Sequence, residues 1–305
     1  MASSAPASAS GSKVDNAEAF QGKVKLAVCQ LSIVAEKQQN IDHAREVIEK
    51  AADDGARLIV LPEMWNCPYS NDSFPTYAED IDGGASPSTD MLSDTARARK
   101  VTIIGGSIPE RSGGKLYNTC CIYGSDGKLL GKHRKMHLFD IDIPGKITFR
   151  ESDTLSPGNT FTVVKTDVGC IGVGICYDIR FPELAMLSAA KGAQILCYPG
   201  AFNMTTGPLH WELLAKARAV DNQLFVVTCS PARDDGAGYI AWGHSTVIGP
   251  FGKVEAALEE KEGVLLLDID LSEIETRRTN MPLEHQRRHD VYQLVEITDR
   301  NRSAL

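Results

Sequence analysis

The sequence predicts a single mixed α/β domain, on three observations. Short β-branched apolar runs alternate with stretches of helical period, the pattern of βαβ units. Residues 117–123 and 128–131 flank an Asp126-Gly127 turn, a hairpin signal that adds antiparallel pairing and so predicts a mixed sheet. No internal repeat and no long linker divides the 305 residues, of which 43% are hydrophobic and 24% charged, enough for one sizeable core. The net charge of −8, from 40 acidic against 32 basic residues with no long basic run, argues against a nucleic-acid groove. No apolar run reaches the roughly 18 residues of a membrane span. Eight cysteines without a C-x-x-C pair read as reduced thiols in an intracellular compartment, not as a disulfide framework.

Residues 1–22, rich in Ala and Ser and without a basic residue before Lys13, read as a disordered tail or a targeting remnant. The first reading places the protein in the cytoplasm, the second in a chloroplast or mitochondrion. The domain then spans 23–295, with a flexible tail over 296–305.

Residues 23–31 alternate and then turn apolar, as a first strand would. Ile41, Ala44, Ile48, Ala51 and Ala52 recur at helical spacing, and Gly55 is placed to end that helix. A second buried strand at 57–61 stops at Pro62, and Glu63 follows at the rim where open sheets bind ligands; a solvated loop carboxylate is the plainer alternative. Residues 65–77 are aromatic and proline-bearing without either period, and predict a surface loop able to wall a pocket. A helix over 88–100, a strand over 101–108 and the hairpin follow. In the basic stretch 132–140, His133 and His137 stand four apart, but no third ligand at a recognisable spacing supports zinc. A lysine there is either a fixed positive charge or part of a surface patch, and Glu151 alone says little.

Residues 168–175 read as a buried strand and Pro182 suits a first helical turn, so Cys176 sits where a strand yields to a helix. Such a junction presents a thiol beside free backbone N–H groups, although a buried free cysteine is by itself an ordinary core residue. Beyond it come a helix over 182–192, a strand over 194–198 and a helix opened by Thr206-Gly207-Pro208, with Leu209, Leu213, Ala217 and Val220 on one face. Strands at 224–229, 242–248 and 264–269 complete the pattern, the last paired with 252–257. Residues 272–278 form a short helix, and 285–289 (HQRRH) a charged surface segment.

Glu63, Lys135 and Cys176 thus each follow a strand, in the contexts LPEMW (61–65), HRKMHLFD (133–140) and GICYDIRFPEL (174–184). In this order they resemble the nitrilase superfamily of carbon-nitrogen hydrolases, over residues 24–295. KLYNTC (115–120), HLFDIDIPGKITFRES (137–152), YPGAFNMTTGPLHWELL (198–214), AVDNQ (219–223) and SPARDD (230–235) are similar to its omega-amidase branch, with Trp65 in place of a more usual Phe. The deaminated-glutathione and N-carbamoyl-amine amidases are the neighbouring alternatives, and an idle scaffold member the remaining one.

The resemblance implies a four-layer α-β-β-α sandwich, commonly a homodimer, and hydrolysis of the terminal amide of 2-oxoglutaramate or 2-oxosuccinamate. It implies Cys176 as nucleophile, Glu63 as general base, and Lys135 with the Tyr177 backbone N–H as oxyanion donors. Glu151 corresponds to the family's second glutamate. That chemistry requires no metal and no organic cofactor. A dicarboxylate-like substrate calls for a cation or several donors at its far end; Arg180 is the candidate, with Tyr69, Asn203 and Thr205, unless Asp178 or Glu183 pairs with it.

Overall fold

The computed structural model describes residues 20–297; the tails expected at 1–22 and 296–305 lie outside them except at 20–22 and 296–297. In chain order the elements are β1 (Lys23–Gln30), α1 (Lys37–Asp53), β2 (Leu58–Val60), α2 (Ser73–Tyr77), α3 (Pro87–Arg99), β3 (Thr102–Ile104), β4 (Ile108–Ser112), β5 (Lys115–Tyr123), β6 (Leu129–Arg134), β7 (Asp140–Ile143) and β8 (Ile147–Arg150). Then come β9 (Thr162–Thr166), β10 (Gly169–Val173), α4 (Pro182–Ala190), β11 (Ile195–Pro199), α5 (Gly207–Asn222), β12 (Phe225–Cys229), β13 (Thr246–Ile248), β14 (Val254–Ala257), β15 (Gly263–Asp270), α6 (Ser272–Asn280) and α7 (Leu283–Gln286).

Two large sheets carry these elements. One runs β15-β1-β2-β3-β5-β4 with β6 added on β5, the other β14-β13-β12-β11-β10-β9, and β7 and β8 form a separate hairpin. Each large sheet has a parallel trio at its centre, β1-β2-β3 and β10-β11-β12, with antiparallel strands outside it. Strands buried on both faces read as continuous apolar runs, which is why the trios stand out in the sequence.

Alternation along the strands builds the layers. Leu26 and Val28 of β1 join Val173, Ile195 and Phe225 in the core between the sheets. Ala27 and Cys29 turn the other way, onto Ile41, Ala44 and Ile48 of α1, and α3 adds Met91, Leu92 and Ala96 on that face. The second sheet is covered by α4 and α5 through Ala185, Trp211, Ala215 and Ala219. The layers are therefore α-β-β-α, in one domain.

Several local expectations are corrected. β15 pairs not with 252–257 but antiparallel with β1, from Lys23↔Asp270 to Gln30↔Gly263, whereas β14 pairs with β13. The chain crosses between sheets there because Leu265 and Ile269 face the shared core. The strand expected over 101–108 is split, since Gly106 turns the chain at φ +62° where any Cβ would meet the Pro62 carbonyl oxygen at 2.2 Å. The loop at 65–77 contains α2; Trp65, Asn66, Cys67 and Phe74 are buried, and Cys67, Pro68, Tyr69 and Ser70 line a cavity, as a pocket wall would. On α5 the inward face is Trp211, Ala215, Arg218, Ala219 and Asn222; Leu209, Leu213 and Val220 lie outward at 63%, 61% and 46% exposure. The bulky Trp211 and the small alanines fit the sheet, so the leucine stripe is left facing out. No helix among the described residues is long and apolar enough to cross a membrane.

Candidate active site

Four strand ends deliver one cluster. Glu63 follows β2, Lys135 follows β6, Glu151 follows β8 and Cys176 follows β10. The Glu63 segment lies on the bend that breaks the 101–108 run: Ser107 N–H donates to the Pro62 carbonyl at 3.0 Å, Ser107 Oγ accepts the Met64 N–H at 3.1 Å, and Trp65 Nε1 donates to Gly105 O at 2.7 Å. Met64 sits at φ +52°, which turns the chain immediately after the carboxylate.

Cys176 opens a 3₁₀ segment, Cys176–Arg180, with φ +47°. A left-handed backbone on a residue with a Cβ costs about 1–3 kcal/mol and persists only where its surroundings hold it. Gly200 allows the close approach required, because a Cβ there would lie 3.1 Å from Cys176 Cα and 3.0 Å from the Trp211 ring. The Tyr177 N–H belongs to the first turn, where an amide has no partner within the turn itself.

Glu63, Lys135 and Glu151 are all fully buried and hydrogen-bonded in a row. Lys135 Nζ donates to Glu63 Oε1 at 3.0 Å and to Glu151 Oε1 at 2.9 Å. Glu63 also accepts Asn118 Nδ2 at 2.8 Å, the Ala201 N–H at 2.8 Å and the Cys176 thiol. Glu151 accepts the Tyr69 hydroxyl at 2.6 Å and the Phe139 N–H at 2.7 Å.

Two carboxylates around one ammonium leave one negative charge uncompensated, which sets the protonation states. Burial raises the pKa of Glu63, Lys135 works against that rise, and Glu151 adds to it. Burial alone would lower Lys135, but Glu151 and Glu63 outweigh it and hold the ammonium well above its usual value. Burial and Glu63 push the Cys176 thiol well up, against Lys135. The resting site is thus a protonated thiol against a carboxylate with raised proton affinity. That is the requirement for a general base that takes the proton as the sulfur attacks.

A cavity of about 760 Å³ opens beside Glu63, lined there by Met64, Tyr69, Phe149, Ala201 and Tyr239. The rings of Tyr69 and Tyr239 stack at 4.5 Å, and the Tyr239 hydroxyl donates to Ala201 O at 2.6 Å. Burial, with the nearby charges of Glu63 and Glu151, pushes both phenols well above their ordinary range. Among the described residues no group of three or more His, Cys, Asp and Glu side chains is placed to hold a metal ion.

The other candidate residues are placed unevenly. Tyr69 is in the site, but its hydroxyl is committed to Glu151. Arg180 pairs with neither Asp178 nor Glu183: it donates to His210 Nδ1 at 3.2 Å, lies 4.8 Å over the Phe202 ring, and keeps a buried Nε without a partner among the described residues. Its burial lowers its pKa. Asn203 and Thr205 lie just before α5, and the buried Asn203 Nδ2 has no hydrogen-bond partner among the described residues. Asn203 Oδ1 accepts the N–H groups of Thr205 and Thr206, both at 2.9 Å, because the start of α5 needs an acceptor there. His133 lies on a strand and not a helix, and both His133 and His137 meet Asp178. Sequence reasoning missed Asn118, Ala201 and Tyr239. Asn118 and Ala201 do lie in the KLYNTC and YPGAF stretches, while Tyr239 follows a glycine-bearing loop that carries no local signal.

A thiol, an ammonium and two carboxylates sealed at the strand ends of an α-β-β-α sandwich define an amide-cleaving class of hydrolase. Residues 25–279 match the carbon-nitrogen hydrolase family, and the chain belongs to it, within the nitrilase superfamily. It is 66% identical over 277 residues to "Omega-amidase, chloroplastic" of Arabidopsis thaliana, covering 90% of this chain and 75% of that one. Omega-amidase NIT2 of Xenopus tropicalis is 54% identical over 274 residues, 90% of this chain and 98% of the relative. Among solved structures, Saccharomyces cerevisiae Nit3, described as a member of branch 10 of the superfamily, superposes with a TM-score of 0.82 at 46% identity, over 88% of this chain and 98% of that one.

Proposed function

We infer that the protein is an omega-amidase that hydrolyses the terminal amide of 2-oxoglutaramate, and of 2-oxosuccinamate, to the 2-oxo dicarboxylate and ammonia. The observation that carries this reading is the sealed Glu63-Lys135-Glu151 row against the Cys176 thiol, in a chain this similar to omega-amidases of a plant and a frog.

The steps follow from the geometry. Cys176 Sγ attacks the amide carbonyl as its proton passes to Glu63, and the carbonyl oxygen becomes an oxyanion facing Lys135 Nζ and the Tyr177 N–H. Glu63 returns the proton to the departing nitrogen, which leaves as ammonia, and an acyl thioester remains on Cys176. Glu63 then takes a proton from water, hydroxide adds to the thioester, and the thiolate leaves and is reprotonated as the carboxylic acid is released. Glu151 holds Lys135 in place throughout, and Tyr69 holds Glu151. Arg180, a cation near the thiol without a carboxylate partner among the described residues, receives the far carboxylate of the substrate.

We also propose a homodimer, on the outward stripe of Leu209, Leu213 and Val220 along α5. The eight free cysteines suit a cytoplasmic protein; imaging of the tagged full chain tests that against the chloroplast named for the Arabidopsis relative. The deciding assay is ammonia release from 2-oxoglutaramate, deaminated glutathione and N-carbamoylputrescine in parallel. Preference for the first, lost in a folded Cys176→Ala variant, is the expected result; full activity in that variant would overturn the mechanism.

A further inference from the structure

The two histidines that flank Lys135 by two residues on either side end on one carboxylate. His133 Nε2 lies 3.0 Å from Asp178 Oδ2 and His137 Nδ1 lies 2.8 Å from Oδ1. The His137 N–H also donates to Oδ1, at 2.9 Å. Asp178, two residues beyond Cys176, accepts the Ile175 N–H at 2.9 Å as well. Both oxygens of a fully buried carboxylate are thereby satisfied, entirely by the segments that carry Lys135 and Cys176. The His137 ring then stacks on Phe181 at 3.6 Å and 10°, tying the same two segments a second time.

We propose that Asp178, with His133 and His137, is the positioning group that fixes the ammonium of Lys135 relative to the thiol of Cys176. Glu63 and Glu151 clamp the ammonium to the segments after β2 and β8, but neither joins the backbone that bears Lys135 to the backbone that bears Cys176. Asp178 does. It also anchors the amide just before Cys176, whose left-handed backbone stands only if its flanks are held. Burial would favour a neutral Asp178, yet the hydrogen bonds from the two imidazoles keep its carboxyl well below the usual range, so it accepts from all its donors at any working pH. The group touches neither substrate nor reacting atoms; it acts through the two that do.

The inference rests on Cys176 and Lys135 acting together as proposed above, and its test separates the two. Asp178→Asn keeps the volume but turns an amide N–H toward a donor. His137→Phe keeps the ring on Phe181 and deletes one donor to Asp178. Each should lower kcat per titrated active site by about 10- to 100-fold, the scale of a misplacement of roughly 1 Å, with KM within about twofold. The rate of Cys176 alkylation by iodoacetamide should fall in parallel. If Asp178→Asn does not fold, His137→Phe decides. A lower melting temperature with kcat and alkylation rate unchanged assigns the cluster to stability alone and overturns the proposal. Loss of the substrate assignment would leave the alkylation comparison intact.

Discussion

Lys135→Met is the sharpest perturbation the site offers. The ammonium is fully buried between Glu63 and Glu151 at 3.0 and 2.9 Å, and methionine matches its length without its charge. Removing one partner of a buried pair typically costs about 3–5 kcal/mol, because the remaining charge is left uncompensated. Here two carboxylates are left. At about 2–4 °C per kcal/mol for a large domain, the melting temperature should fall by roughly 6–20 °C. The cost depends on pH in a fixed direction. Burial already raises Glu63, Lys135 opposes that rise, and without it the carboxyl rises further. A carboxyl whose folded pKa exceeds its unfolded value, about 4.3, binds more protons in the folded state, so stability falls as pH climbs from there through the folded pKa. Urea unfolding at pH 5 and pH 8 should therefore show a deficit against the unchanged protein that is largest at pH 8 and shrinks toward pH 5. Amide hydrolysis should fall by at least about 10²- to 10³-fold, as expected on losing an oxyanion donor. A deficit under about 1 kcal/mol at pH 8, or one that grows toward pH 5, would refute the electrostatic account.

Two further expectations follow from single contacts. Tyr69→Phe keeps the stack on Tyr239 and loses the 2.6 Å bond to Glu151, so thermal unfolding should report a loss of about 1.5–3 kcal/mol, the worth of a hydrogen bond to a charged group; an unchanged midpoint would mean that Glu151 does not depend on it. Leu209→Glu with Leu213→Glu should leave the fold intact and, in analytical ultracentrifugation, convert a dimer to a monomer. A variant that sediments as the unchanged protein does would remove that face from the interface.

Legibility in the sequence followed the range of the forces involved. The parallel trios could be read because strands buried on both faces must be apolar throughout, and Cys176 was conspicuous because Val168, Ile171 and Val173 precede it and Pro182 follows it. The pairing of β15 could not be read, because its alternation suits any edge strand and only the geometry of two facing sheets selects β1. The leucines of α5 do share one face, but whether that face packs inward could not be read, for a similar reason. Helical spacing gives an apolar stripe without stating what covers it, and Trp211 with its alanines took the inward place. The oxygen of Asn203 is claimed by the unfilled amides at the start of α5, while its buried Nδ2 has no partner among the described residues.

By itself, then, the sequence determined the α/β class, the strands that form the two central trios and the three contexts around Glu63, Lys135 and Cys176, because each depends on residues within one strand or turn of one another. The tertiary structure decided what those residues are to each other. Glu63 lies 72 positions from Lys135, and Asp178 lies 45 from His133, yet each pair is in contact. A loop carboxylate in water and a proton acceptor sealed beside a thiol have the same letter in the sequence. Burial, and one ammonium shared between two carboxylates, make the difference.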